Sequence, residues 1–431
     1  MSAVGIDFGT TNSSIACIDG AGGVRLASFP YMGTLTDSYR SLLYLQKIKQ
    51  AGVNILKSST GPEAIEHYLS GESTGRLIQS LKSHLPSAGL QSTEAFGRRY
   101  TIEDLIARII RDLREKAEQQ FGIEIKTAVA GRPVHFSGST KDEDDRYAEG
   151  RLKSAFELAG FESVEFEMEP VAAAHYYESS LDHDELILIG DFGGGTSDFS
   201  LLRVGPSIRR RGREKSDILG NAGVGTAGDA FDAKIIRHLV SPALGAESKL
   251  RSLGKILTVP GWVYIKLERW HHLSFSRAKD VLDMLKAVHA QSLEPAKIAA
   301  LVHFIKEDLG FHLHRAVQQL KCELSHNSAA RFQFSDGVVD LAAVVERTSF
   351  EEWISEELEH IAGCVDSLLR STGVRPQDVD MVFLTGGSCF VPAVRRIFET
   401  RFRPGRIRGG NEFTSVARGL AMKAEEVRTT K

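Results

Sequence analysis

A layered α/β protein in two lobes, built on a duplicated unit, is what this sequence predicts, and three observations carry the prediction. The run from Leu186 to Leu202 reads as a strand, an acidic residue, three glycines, a threonine and a second strand. Near the N-terminus, Val4 to Ile18 repeats that plan as strand, Asp7-Phe8-Gly9, a threonine-containing turn and strand. Between these hairpins the apolar pattern alternates strand, helix, strand, helix, the order of a sheet with helices layered on it.

Each turn carries chemistry as well as shape. Glycine loses more backbone freedom on folding than any other residue, so Gly193, Gly194 and Gly195 make sense where the chain must bend sharply and approach a ligand. Clustered N–H groups cradle anions, and Thr196 adds a hydroxyl. Asp191 and Asp198 flank the cradle with carboxylates, which suit a Mg²⁺ ion that shares its shell with waters and phosphate oxygens. A tight hairpin with no ligand would use similar letters. The second copy, at Asp7, Gly9, Thr10, Thr11 and Asn12, favours two cradles with a nucleotide between the halves of the protein.

Length and composition set the bounds. A chain of 431 residues is too long for one ordinary core, so two or more lobes are expected. An apolar fraction of 42% and a charged fraction of 25% are ordinary for a globular protein and argue against disorder. A net charge of −3 gives no reason to expect nucleic acid as the partner. The four cysteines (Cys17, Cys322, Cys364 and Cys389) are scattered and lack CxxC spacing, which predicts reduced thiols of a cytoplasmic protein. Met1-Ser2-Ala3-Val4 leads straight into the first turn without a targeting segment, and no run reaches the roughly 18 apolar residues of a membrane span. A cytoplasmic monomer without membrane contact is the expectation.

In chain order, residues 30–60 predict short strands, and Pro62 opens a helix at a favoured early position. Thr101 caps a long amphipathic helix to about Phe121. Lys126–Ala130 predicts a strand, Asp142–Ala159 a charged helix closed by Gly160, and Phe161–Phe166 another strand. Glu169-Pro170 then begins a helix. Past the second hairpin, the basic cluster Arg209, Arg210, Arg211 and Arg213 reads as a solvated loop between strands. Gly223, Gly225 and Gly228 spell a dinucleotide fingerprint by letter, but a charged stretch precedes them where a strand is required. A glycine turn delivering a helix N-terminus toward phosphate or ribose remains open there. Residues 235–320 predict mostly helix. Adjacent His271 and His272, beside Trp270, face different sides of a helix, which points to packing over metal binding. Residues 350–369 predict one long helix, Asp380–Pro392 a strand, a Gly386-Gly387 turn and a helix, and Glu412–Met422 a closing helix.

With these motifs in hand, the chain resembles the ATPase domain of the seventy-kilodalton heat-shock (DnaK-type) chaperones, within the actin and sugar-kinase superfamily. Five motifs in the family's order carry the resemblance: Val4–Ile18, Ile189–Leu202, Tyr147–Ala174 ending in Glu-Pro-Val-Ala-Ala-Ala, Lys321-Cys322-Glu323-Leu324-Ser325, and Met381–Pro392. It implies an actin-like, ribonuclease H-like duplicated fold with ATP or ADP in the cleft. Lobe I would span 1–185 with a small subdomain at about 28–115, lobe II 186–408 with an enlarged helical subdomain at about 229–330, and 409–431 would close lobe I. It further implies that Asp7, Asp191 and Asp198 position Mg²⁺ through water. Gly9, Thr10, Thr11, Asn12, Gly193, Gly194, Gly195 and Thr196 would hold the phosphates. Glu169 would orient water, and Lys82 is the candidate lysine beside the attacking water. Gly228, Gln318, Lys321, Ser325, Gly386, Gly387, Ser388 and Phe390 would meet ribose, adenine and the inner phosphate. Protein clients or co-chaperones are the implied partners besides nucleotide.

Three departures temper that reading. The chain ends at Lys431 shortly after the closing helix, with no apolar linker or β-rich substrate domain, which resembles the short YegD-type group. Gln318 stands where the family has Glu, and Phe390 where it has a stacking Arg; charged hydrogen bonds are worth roughly 1.5–3 kcal/mol, so weaker nucleotide binding is expected. The segment 232–318 is longer than its counterpart. A nucleotide-responsive scaffold and an actin-fold carbohydrate kinase are the alternatives. A protein kinase is excluded: Asp7-Phe8-Gly9 and Asp191-Phe192-Gly193 spell one of its motifs, but its His-Arg-Asp and Val-Ala-Ile-Lys motifs are missing.

Overall fold

The computed structural model describes residues 2–20, 22–31, 33–50, 53–70, 75–252, 254–268, 279–409 and 414–430. Trp270, His271 and His272 lie outside them. The chain divides into two compact units. One comprises Met1–Ala227, His360–Cys389 and Arg395–Lys431; the other comprises Gly228–Glu359 and Phe390–Val394.

The first unit holds two large mixed sheets. In one, the strands run in the order Ser163–Met168, Ile125–Arg132, Ser2–Phe8, Asn12–Ile18, Val24–Leu26, with Tyr39–Arg40 also on Asn12–Ile18. Ser2–Phe8 pairs in parallel with Ile125–Arg132 and antiparallel with Asn12–Ile18. The other has the order Ile218–Val224, Ser197–Val204, Glu185–Phe192, Met381–Thr385, Ile407–Gly409. There Glu185–Phe192 is parallel to Met381–Thr385 and antiparallel to Ser197–Val204. Each sheet is thus an antiparallel meander extended by two parallel strands. Their inner strands are apolar on both faces because both faces are covered, and Ser197–Val204 is buried except at Arg203.

The helices follow from local rules. Ile102–Phe121 begins at a capping box in which Thr101 and Asp104 satisfy each other's backbone N–H groups, and it ends at Gly122 with φ of 70°. Its apolar stripe (Leu105, Ile106, Ile109, Leu113) packs with Leu152 and Phe156 of Asp142–Leu158 on the first sheet. Between the sheets lie Glu169–Glu178 and Ser415–Thr430. Ala172, Ala173 and Ala174 of one and Val416 and Leu420 of the other form a core with Ile187, Ile189, Leu202 and Phe383. Small residues let these helices approach closely. A Cβ at Gly419 would overlap the carbonyl oxygen of Ala172, and one at Gly5 would overlap the backbone nitrogen of Ala421.

The second unit contains the helices Gly228–Ile235, Trp262–Glu268, Lys279–Gln291, Pro295–Lys306, Gly310–His326 and Arg347–Trp353, and two hairpins. No helix among the described residues is long and apolar enough to cross a membrane.

Four local expectations need correction. Residues 235–320 are mostly helical where described, as expected, but an antiparallel hairpin, Lys249–Ser252 with Lys255–Thr258, turned at Gly254 with φ of 75°, interrupts them. The 350–369 region is broken at Ile354 between Arg347–Trp353 and Ser355–Thr372. A strand, Ile218–Val224, does precede Gly225 and Gly228; it is an antiparallel edge strand, and so not the parallel strand of a dinucleotide fold. The arginine cluster is exposed at Arg209, Arg210 and Arg211, as expected, but it is carried by a short helix, Pro206–Arg211, and not by a loop, and it also serves buried carboxylates. Arg211 grips Asp217, Arg213 pairs with buried Glu178 at 2.7 Å, and Arg209 reaches the carbonyl of Glu178 at the end of its helix. These cations offset a helix C-terminus and two buried carboxylates.

Candidate functional site

The two hairpin turns are built alike. Gly9 donates its N–H to the carbonyl of Asn12 at 3.0 Å, and Gly193 donates to Thr196 at 3.0 Å. Strand register sets Asp7 opposite Ser14 and Asp191 opposite Asp198. The turns also meet: a Cβ built on Gly195 would lie 3.6 Å from the Thr10 hydroxyl and 3.5 Å from Ser137. Gly386 follows Thr385, the parallel partner of Asp191, and takes φ of 85°. No side chain fits there, because a Cβ would overlap the Phe192 carbonyl.

Around these turns the fold gathers four carboxylates and one lysine. Glu169 opens its helix with Pro170 beside it, directly after the strand that ends at Met168. Lys82 sits on a short 3-10 turn, Leu81–His84, entered through Ser80 in the left-handed region. Both are buried, and Lys82 Nζ lies 2.6 Å from Glu169 Oε1. Asp198, 1% exposed, accepts the Val134 N–H at 2.8 Å and the His135 N–H at 3.4 Å.

The charges do not balance. Burial, reinforced by Glu169 and opposed by Lys82, pushes the Asp7 carboxyl up to about 7. Burial, then Glu169, pushes Asp198 to about 7 against the pull of the Thr196 hydroxyl and the Val134 and His135 N–H groups. Asp191 is held well above the carboxylate range by burial, Glu169, Asp7 and Asp198. Burial alone would lower Lys82, yet Glu169 and Asp7 keep its ammonium above its ordinary value. Among the described residues no three His, Cys, Asp or Glu side chains converge closely enough to hold a metal by themselves. The excess negative charge therefore fits a divalent cation that takes its remaining ligands from water or a phosphate.

The pH dependence follows in sign. The folded chain holds protons on Asp7 and Asp198 up to about pH 7, whereas the unfolded chain releases them near the ordinary 3.8. This contribution to stability is complete below 3.8 and disappears as pH rises through about 7. Thermal melts should fall between pH 5 and pH 8 more steeply in the wild type than in an Asp7→Asn/Asp198→Asn chain, and added Mg²⁺ should raise the wild-type midpoint more at pH 8. Equal slopes in the two chains would contradict the assignment.

The remaining sequence-derived residues divide between the two units. Gly386, Gly387 and Ser388 belong to the first; Gly228, Gln318, Lys321, Ser325 and Phe390 belong to the second. Within the second, Lys321 Nζ is 2.6 Å from buried Asp232 and 3.2 Å from the Gly228 carbonyl, so these two distant positions are brought together. Ser325 turns its hydroxyl onto the carbonyl of Lys321. Phe390 is 45% exposed, high for an aromatic ring.

The loop after Arg132 escaped the sequence reading. Its Val134 and His135 N–H groups hold Asp198, and the His135 ring is fixed by Asp145 at 2.6 Å. Pro133 after a strand was the available signal, but nothing local tells which carboxylate those N–H groups will meet.

A layered α/β protein with paired glycine turns over a carboxylate cluster is the class defined by these features. The family model described as Hsp70 protein matches residues 76–250 and 306–430, well over half the chain, and the chain belongs to the Hsp70 family. Membership is consistent with nucleotide binding and with an ATPase-type activity.

Proposed function

We propose that this protein binds Mg-ATP and hydrolyses it slowly as an Hsp70-like, chaperone-type ATPase of the YegD type, in the cytoplasm. The observation that carries the reading is the convergence of the two glycine turns on Asp7, Glu169, Asp191, Asp198 and Lys82. The matching strand order and directions of the two sheets, and the matching closing bond of the two turns, support a duplicated, ribonuclease H-like and actin-like origin.

In this reading the N–H groups and hydroxyls of Thr10, Thr11 and Gly193–Thr196 bind the outer phosphates. Asp7, Asp191 and Asp198 hold the waters of Mg²⁺, which when bound would neutralise charge on the phosphates. Glu169, fixed by Lys82, orients the attacking water, and Lys82 offsets negative charge beside it. Phosphoryl transfer needs little beyond such positioning and charge neutralisation. Gly386, Gly387 and Ser388, with Gly228, Gln318, Lys321, Ser325 and Phe390, would take the nucleoside end. Protein clients or co-chaperones would respond to the nucleotide state.

Single-turnover hydrolysis tests it. Asp191→Ala should release phosphate at least about a hundredfold more slowly than wild type. Equal release would favour the alternative of a nucleotide-responsive scaffold, whose carboxylates serve binding alone.

A further inference from the structure

We infer that the hairpin Lys249–Ser252/Lys255–Thr258 docks an acidic, extended peptide segment along its outer strand. The family match stops at residue 250 and resumes at 306, so the outer strand and the helix after it lie in the unmatched stretch.

The backbone there is half used. Val259 donates its N–H to Ser248 at 2.9 Å, which makes these two a hydrogen-bonded pair. Alternation along an antiparallel ladder then turns the N–H and C=O of Ile256 and Thr258 outward, away from Lys249–Ser252. On the inner strand the equivalent outward group is taken, because Leu293 donates to the Lys249 carbonyl at 2.8 Å and Leu250 bridges Ser292. The outer edge has no such partner strand among the described residues, and all four of its residues are exposed. An extended peptide adds to such an edge through main-chain bonds and takes specificity from alternate side chains.

The side chains say which peptide. Ile256 is 64% exposed, and four residues past the strand Trp262 and Ile265 present a second exposed apolar pair at helical spacing. Lys249, Arg251 and Lys255 line the hairpin, and Lys266 lies over the Trp262 ring at 4.9 Å. Of the nearby carboxylates whose side chains are described, Glu268, Glu294 and Asp283 are paired with Arg237, Lys297 and Lys286, which leaves Glu247. Like charges oppose edge-to-edge pairing of two copies, while a strand alternating acidic and apolar residues complements both features.

The test uses the full chain and a fluorescently labelled heptapeptide of alternating glutamate and valine, read by anisotropy. Saturable binding that weakens with salt is expected, with no binding by the lysine–valine counterpart. Arg251→Glu/Lys255→Glu, a purely surface change, should weaken it about tenfold or more. Ile256→Pro removes an outward N–H and leaves the ladder's own bonds, and should weaken it roughly fivefold. Absence of binding, or binding unaffected by the charge reversal, overturns the inference. So does concentration-dependent dimerisation in sedimentation that the charge reversal changes, since the edge would then belong to a second copy.

Discussion

Gly419→Ala is expected to destabilise the protein by about 3 kcal/mol or more, enough to deplete the folded form. Ser415–Thr430 crosses Glu169–Glu178 at Gly419, where an added Cβ would overlap the Ala172 carbonyl oxygen. Backbone cannot swing aside as a flexible side chain does. Retreat of either helix would open the core shared by Ala172, Ala173, Leu420, Ile187 and Phe383, and cores resist such shifts because they are close-packed. Gly5→Ala meets the same helix from the strand side, at the Ala421 nitrogen, and should act alike. Gly20→Ala is the control, since nothing lies within 4 Å of its would-be Cβ. Urea melts followed by circular dichroism decide it; a Gly419→Ala chain that melts with the wild type would contradict the close approach of the two helices at Gly419.

Lys82→Met should cost about 3–5 kcal/mol at pH 8, the usual penalty for stranding one member of a buried ion pair. Glu169 would lose a partner at 2.6 Å, and Asp7 and Asp198 would lose a cation that offsets the repulsion each feels from Glu169. The loss should shrink at pH 5, where Asp7 and Asp198, each pushed up to about 7, carry protons. Lys82→Met/Glu169→Gln should recover much of the stability, because removing both charges costs less than removing one. Hydrolysis should stay slowed by about a hundredfold in both variants if Lys82 acts beside the attacking water. A double variant no more stable than the single would show that Lys82 is not balancing Glu169.

Much of the fold was legible because it rests on short-range rules. Thr101 announced its helix, Pro170 and Gly160 marked where theirs begin and end, and the apolar runs around Asp191 marked strands buried on both faces. The hairpin at 249–258 was missed because four-residue strands on either side of Gly254 are too short to establish a period against surrounding helix. The pairing of Arg213 with buried Glu178 was not legible because a basic run looks the same whether it faces water alone or a buried carboxylate as well; Glu178 lies 35 residues from Arg213 in sequence.

The same division runs through the site. The sequence alone determined the two turns, their glycines, and the carboxylates beside them, since a backbone that must bend within a few residues constrains those residues directly. Only the tertiary structure decided that Lys82 meets Glu169 across 87 residues, that the Val134 N–H holds Asp198 across 64, and that Thr10 faces Gly195. The physical reason is the range of the effects. Conformational preference acts between chain neighbours, whereas charge balance and close approach depend on what packing brings into contact.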